Sequence, residues 1–386
     1  MLALPSFNEA ERRYSLHYVS VVHSNSFNFE RLDRDFPQIQ TTCSWLVQKK
    51  NGDLSAAFLQ LVYALAPYLQ RSALHKTLLQ YCQLGLQFAS QLGQNAGRLL
   101  LLQSRAYWAL GEWDQALARV RAAINVSNIA DPKVHAQSVL ALGQLQLNRG
   151  EYRVALQTLS QAEKLLSEIS DEEGIAAAKA EVAAYFLNRL EYRKALALYL
   201  EVDQRRRSVD PGRSSAHTLL MLGVIYRRLR NYAEAEKYLR GLIELCCAEG
   251  NSGSLATAMH HLGWIYFDQA EYAEAERLAR TAKRIYENVG DPRGESDADE
   301  QLGRMALAKK DWASARFFLE RSLTVRTQLG NQHGVASSLR RLAQLFLKQG
   351  KLWTGIGYLC RCLCHYQHLG ALSHQRLGAI VFDLSD

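Results

Sequence analysis

The fold class that this sequence predicts is an all-α solenoid, a stack of paired helices. Three observations predict it: residue columns that recur every 39 or 40 positions, turn chemistry that recurs with them, and a composition rich enough in apolar residues for an ordered chain. The 386 residues are 48% hydrophobic and 22% charged, so a sizeable core can be buried and a disordered tail is excluded.

The first column is aromatic: Trp113, Tyr152, Tyr192, Tyr232, Tyr272 and Trp312, with Leu352 in the seventh place. Three residues later comes a small side chain, at Ala116, Ala155, Ala195, Ala235, Ala275, Ala315 and Gly355. Nine residues before each aromatic stands another, at Ser104, Gly143, Ala183, Gly223, Gly263, Gly303 and Ala343. Two antiparallel helices need small residues where their backbones approach, and the aromatic is expected to fill the space beside them. Gly250, Gly290, Gly330 and Gly370 each follow a helical pattern, as left-handed C-cap residues do, and Asp210-Pro211 and Asp291-Pro292 open the next helix. No proline interrupts a helical pattern between 97 and 369.

These columns resemble the tetratricopeptide repeat, most clearly in Leu222-Gly223-Val224-Ile225-Tyr226 followed by Asn231-Tyr232-Ala233-Glu234-Ala235. The common unit has about 34 residues. The 40 found here imply helices about a turn longer, the form that resembles the repeats of kinesin light chain and of bacterial regulatory proteins. The resemblance implies a right-handed superhelix whose first helices line a concave side.

In chain order, residues 1–57 are expected to form an N-terminal helical arm or cap, with helices about Phe7 to His23 and Phe29 to Gln48. Leu32-Asp33-Arg34-Asp35-Phe36-Pro37-Gln38-Ile39, then Trp45 and Asn51-Gly52-Asp53, resemble the junction at which the C-terminal repeat array of STAND-type signalling ATPases begins. That family usually shows Asn-Leu-Arg where Gln38-Ile39-Gln40 stand. The resemblance implies an ATPase module in the same or another chain, since no nucleotide-binding module is present in this sequence. Residues 58–96 read as a degenerate repeat, because Leu65, Ser72, Leu74, Thr77 and Tyr81 fall in the same columns one step of 39 upstream. Seven repeats are expected over 97–369 and a C-terminal capping helix over 370–386.

The repeat family also implies which positions face the groove. Carried onto this sequence, they are Arg227, Arg228, His260, His261, Trp264, Asp268, Glu300, Arg304, Arg340 and Arg341. His217, Asp297, Gln301, Gln344 and Lys348 join them, with Arg98, Arg105 and Trp108 from the first unit. Across the seven units, eight Arg or Lys stand against four acids, Glu181, Asp268, Asp297 and Glu300. Trp264 beside His260, His261 and Arg228 has the composition of a binding hot spot. The competing reading packs Trp264 between first helices and leaves the charges solvated. Chaperone-binding relatives need Lys and Asn at set groove positions, where pairs such as Leu140 with Gln144 stand here, so a chaperone-tail receptor is not expected.

Several functions are excluded or disfavoured. Cys360, Cys364 and His368 share a helical face, but structural zinc sites join two separated pairs and Cys362 falls on a small-residue column. Small buried cysteines are expected there, with no metal and no cofactor. A phosphate loop, a dinucleotide fingerprint, His-Glu-x-x-His and Gly-x-Ser-x-Gly are all missing, so no enzyme is expected. The longest apolar run, Leu61 to Leu69, is far short of the ~20 residues of a membrane helix. No secretory leader is visible, and seven cysteines without framework spacing fit a reducing compartment, so the cytoplasm is expected. A net charge of +8 is dilute over this length and stacking aromatics are few along the groove, which argues against nucleic acid. The expected function is a non-catalytic protein- or peptide-binding scaffold, the sensor or regulatory array of a bacterial signalling system. The alternative is a receptor for a small molecule or peptide pheromone, like the Rap-type regulators and the maltose-regulon activator that the array resembles.

Overall fold

The computed structural model describes residues 7–24, 29–48, 52–127, 130–209 and 215–368. They form eighteen α-helices and no strand. The chain divides into two compact units, Met1–Arg189 and Leu190–Asp386. The capping helix expected over 370–386, Gly370 and the Asp210-Pro211 helix start lie outside the described residues.

The first unit begins with α1 (Phe7–Ser24), α2 (Phe29–Gln48) and α3 (Gly52–Arg71), which pack on one another. It continues through α4 (His75–Gln91), α5 (Gly97–Ala109), α6 (Trp113–Ser127), α7 (Pro132–Asn148), α8 (Tyr152–Glu168) and α9 (Glu172–Asn188). Each helix packs on the next, and α7 also touches α5 and α9, so the first members of the pairs form a layer of their own.

The second unit contains α10 (Tyr192–Val209), α11 (Ala216–Arg228), α12 (Tyr232–Glu249), α13 (Ser252–Asp268) and α14 (Tyr272–Val289). After these come α15 (Pro292–Ala308), α16 (Trp312–Gln328), α17 (Gln332–Lys348) and α18 (Leu352–His368). Here α11, α13, α15 and α17 make the first-helix layer, each touching the next. Both units are thus built as an α-solenoid of helix pairs.

The small-residue columns hold these pairs together. A Cβ on Gly223 would lie 2.7 Å from Leu239 Cγ, and one on Gly303 would lie 2.8 Å from Leu319. Ser104, the hydroxyl member of that column, donates to the Ala116 carbonyl across the pair at 2.8 Å. The aromatic column, whose members open the second helices, divides: Tyr232 and Trp312 are half-buried and pack against the clusters that hold Ala235 with Leu239 and Ala315 with Leu319, whereas Trp113 and Tyr152 are 40% and 51% exposed. The space against the small residues is filled one helical face further on by Leu159, Leu239 and Leu319, all buried. An aromatic at the first helical position points back over the turn, and a leucine seven residues later lies over the partner backbone.

The ends of the helices follow local chemistry. Asn231, Asn251, Asp291 and Asn331 cap their helices by accepting from backbone N–H groups two or three residues on. Gly250, Gly290 and Gly330 are left-handed, with φ of 66°, 67° and 64°. A second left-handed position lies inside each pair, two residues before the aromatic. It holds Gly111, Gly150 and Gly350, but also Leu190, Arg230, Ala270 and Lys310, with φ of 60° to 63°.

Candidate functional site

Because α11, α13, α15 and α17 lie side by side, residues about 40 apart in sequence come into a row across them. That row walls a cleft of about 830 Å³ in the second unit. All ten residues that the repeat pattern placed on the groove line it: Arg227, Arg228, His260, His261, Trp264, Asp268, Glu300, Arg304, Arg340 and Arg341. Asp297 lines it too. Its fifteen lining residues include seven arginines, no lysine and three carboxylates.

Trp264 is a wall and not a protruding anchor. It is 8% exposed, and its indole Nε1–H donates to His260 Nε2 at 3.0 Å. That bond requires neutral imidazole, and burial supplies it by pulling the His260 pKa down to about 4. Burial, followed by the neighbouring His260, Arg227 and Arg228, holds His261 well below its ordinary value as well. Two guanidiniums lie against the indole, Arg304 at 4.4 Å and Arg227 at 5.7 Å from the ring centroid. Both histidines are therefore neutral at pH 7, and the positive charge of the cleft comes from arginine alone.

The carboxylates are engaged. Asp268 accepts from Arg227 at 2.8 Å. Arg326, from the second helix α16, is buried between Glu300, which it contacts through Nη1, and Asp297 at 2.5 Å. Ser337 donates to Glu300 Oε1 at 3.0 Å. Burial by itself would raise the pKa of Glu300, but Arg326, together with Arg341 and Arg304, outweighs it and holds the carboxyl below its usual range. Burial works against the charge of Arg326 also, and Glu300 and Asp297 more than restore it. Arg228 and Arg230, both exposed, have no carboxylate partner among the described residues.

Other groove positions go elsewhere. Gln301 lies in the core, donating to the His260 carbonyl at 3.1 Å, because its column faces the packed side of α15. Gln344 is buried and accepts from Arg341 at 3.2 Å. His217 lines a separate cavity of about 170 Å³ with Leu220, Leu242 and Thr257. Lys348 is exposed and is not among the lining residues. Arg98, Arg105, Trp108 and Glu181 belong to the first unit, where Arg98 lies 4.2 Å over the Tyr63 ring and Glu181 accepts from Gln144 at 3.0 Å.

Arg230, Tyr232, Arg326 and Ser337 line the cleft without having been singled out in the sequence. Arg326 carried a signal. Its column at 40-residue spacing holds buried Leu166, Cys246 and Tyr286 and half-buried Arg206, and a cation that is itself buried in such a column requires buried anions. In α18, Cys360 and Cys364 are exposed, whereas Cys362 is buried with its thiol 3.2 Å from the Ala336 carbonyl. The His368 side chain lies outside the described residues. Among the described residues no group of His, Cys, Asp and Glu is placed to hold a metal ion, and no helix is long and apolar enough to cross a membrane.

The paired-helix layers and the cleft on their first-helix side define an α-solenoid repeat protein. More particularly, residues 214–288, which hold α11 to α14, match the family model of the tetratricopeptide repeat. No curated protein matches the chain in sequence. Among solved structures, it is similar to a Rap protein complexed with competence and sporulation factor, at 13% identity and a TM-score of 0.61, covering 92% of this chain and 99% of that one. The apo form of the quorum sensor NprR from B. thuringiensis is similar at 13% identity and a TM-score of 0.61, covering 93% and 99%. A STAND protein with a tetratricopeptide repeat sensor from Pyrococcus horikoshii is similar at 16% identity and a TM-score of 0.56 over 90% of this chain, which spans 54% of that protein.

Proposed function

We propose that this protein is a non-catalytic regulatory scaffold that receives a peptide, or a peptide segment of a partner protein, in the cleft of its second unit. The observation that carries the reading is the convergence of ten groove residues from four successive first helices on one cavity of about 830 Å³. That volume falls within the ~300–1,000 Å³ of ligand pockets and suits a few residues of peptide. Its carboxylates are tied up by arginine and its histidines are neutral, which leaves no poised acid–base pair or activated nucleophile. The complex of the Rap neighbour with competence and sporulation factor, and the designation of NprR as a quorum sensor, support a signalling role. The STAND neighbour supports action together with an ATPase module, in the same chain or another.

The test is affinity capture from cell extract, followed by mass spectrometry, with the wild-type chain and an Arg228→Gln/Arg230→Gln double variant. Both side chains are exposed, so the variant keeps its fold, which circular dichroism verifies. A partner lost selectively by the variant supports the reading. Identical partner sets for both chains refute it.

A further inference from the structure

The hydrogen-bonding inventory of the cleft narrows the chemistry of its ligand. Among the fifteen lining residues there is no lysine, asparagine or glutamine, and nearly half are arginine. A guanidinium offers five N–H donors and no acceptor. The acceptors beside them are already in use: Asp268 by Arg227, Asp297 and Glu300 by Arg326, and His260 Nε2 by Trp264. The lining therefore donates far more than it accepts. A peptide backbone brings an N–H with nearly every C=O, and a site built for backbone alone needs acceptors as well as donors. This lining matches a ligand rich in acceptor oxygens.

Charge points the same way. Seven arginines against three carboxylates leave an excess of four positive charges, half of the +8 carried by the whole chain, in fifteen residues. Arg228 and Arg230 have no carboxylate partner, and the buried Nε–H of Arg227 has no hydrogen-bond partner, among the described residues. The choice of arginine over lysine matters, because the planar fork fits the two-oxygen edge of a carboxylate.

We propose that the cleft recognises an acidic peptide segment, two or more neighbouring carboxylates of which are held by Arg228 and Arg230. The inference rests on the reading of the cleft as a peptide site. It is tested by fluorescence anisotropy on the full chain with labelled hexaglutamate, hexaglutamine and hexalysine, and by calorimetry with tripolyphosphate. The variants are Arg228→Gln and, as a control on the second helix α14, the exposed Arg277→Gln.

Hexaglutamate is expected to bind where hexaglutamine and hexalysine do not, weakening as ionic strength rises. Arg228→Gln is expected to weaken it about tenfold or more, the usual effect of losing a charge-assisted hydrogen bond, and Arg277→Gln to leave it unchanged. Equal losses in both variants mean diffuse attraction and overturn the proposal. If hexaglutamine or hexalysine binds instead, in an Arg228-dependent way, the acidic ligand is wrong and the peptide reading survives. If tripolyphosphate alone binds, proposal and peptide reading fail together, and if no probe binds the proposal fails.

Discussion

The close packing of α11 on α12 can be tested with one substitution made at two sites. Gly223 and Gly241 both lie inside helices, in α11 and α12. Alanine is favoured over glycine in a helix interior by about 1 kcal/mol. At Gly241 a new Cβ meets nothing within 4 Å, so Gly241→Ala should stabilise by roughly that amount. At Gly223 the same Cβ would lie 2.7 and 2.8 Å from Leu239 Cγ and Cδ2, well inside the ~3.5–4.0 Å optimum. Leu239 is fully buried and has nowhere to swing. Overpacking of this kind costs about 1–3 kcal/mol, which outweighs the propensity gain and leaves Gly223→Ala less stable by about 1 kcal/mol. The assay is thermal unfolding followed by circular dichroism at 222 nm, a standard helix wavelength, comparing the sign of the shift in Tm because repeat chains need not unfold in two states. Adding Leu239→Ala should remove the penalty at position 223. A rise in Tm for Gly223→Ala equal to that for Gly241→Ala would refute the close approach of α11 and α12.

Three further outcomes are expected. His260 is held neutral with a pKa of about 4, below its ordinary value of about 6.5, so the unfolded chain binds the extra proton between those values. Its contribution is complete above about pH 6.5 and is lost as pH falls toward 4, about 2 kcal/mol by pH 5, and His260→Gln should remove that part of the slope in urea titrations at pH 7 and 5. Arg326→Met strands Glu300 in the interior and should cost about 3–5 kcal/mol in urea unfolding, with part recovered on adding Glu300→Gln. Lys310→Gly relieves a left-handed residue at φ 60° and should stabilise by about 1 kcal/mol, whereas an unchanged urea midpoint would mean that this turn carries no strain.

The fold class was legible because close helix packing leaves small residues at a fixed period, as Gly223 against Leu239 illustrates. The function of the aromatic column was legible only in part, since the pattern reports position and not direction, and Tyr152 turns out half exposed at the start of its helix. The left-handed turns within the pairs were invisible wherever they fall on Leu190, Arg230, Ala270 or Lys310, where the demands of a tight helical hairpin override local preference. The convergence of the cleft residues was legible for a related reason, because the 40-residue period lines up equivalent positions of successive first helices. Arg326 was missed because it reaches the cleft from a second helix. The His260–Trp264 spacing of four residues was readable, but the neutrality of that imidazole depends on burial by neighbouring helices, which no local pattern encodes.

The most direct test of a ligand site on the first-helix side is photo-cross-linking from a benzoylphenylalanine placed at Tyr232, which lines the cleft, or at Arg277, on α14. With labelled hexaglutamate or a captured partner bound, a cross-link is expected from position 232 and none from 277. A cross-link from 277 with none from 232 would contradict the site.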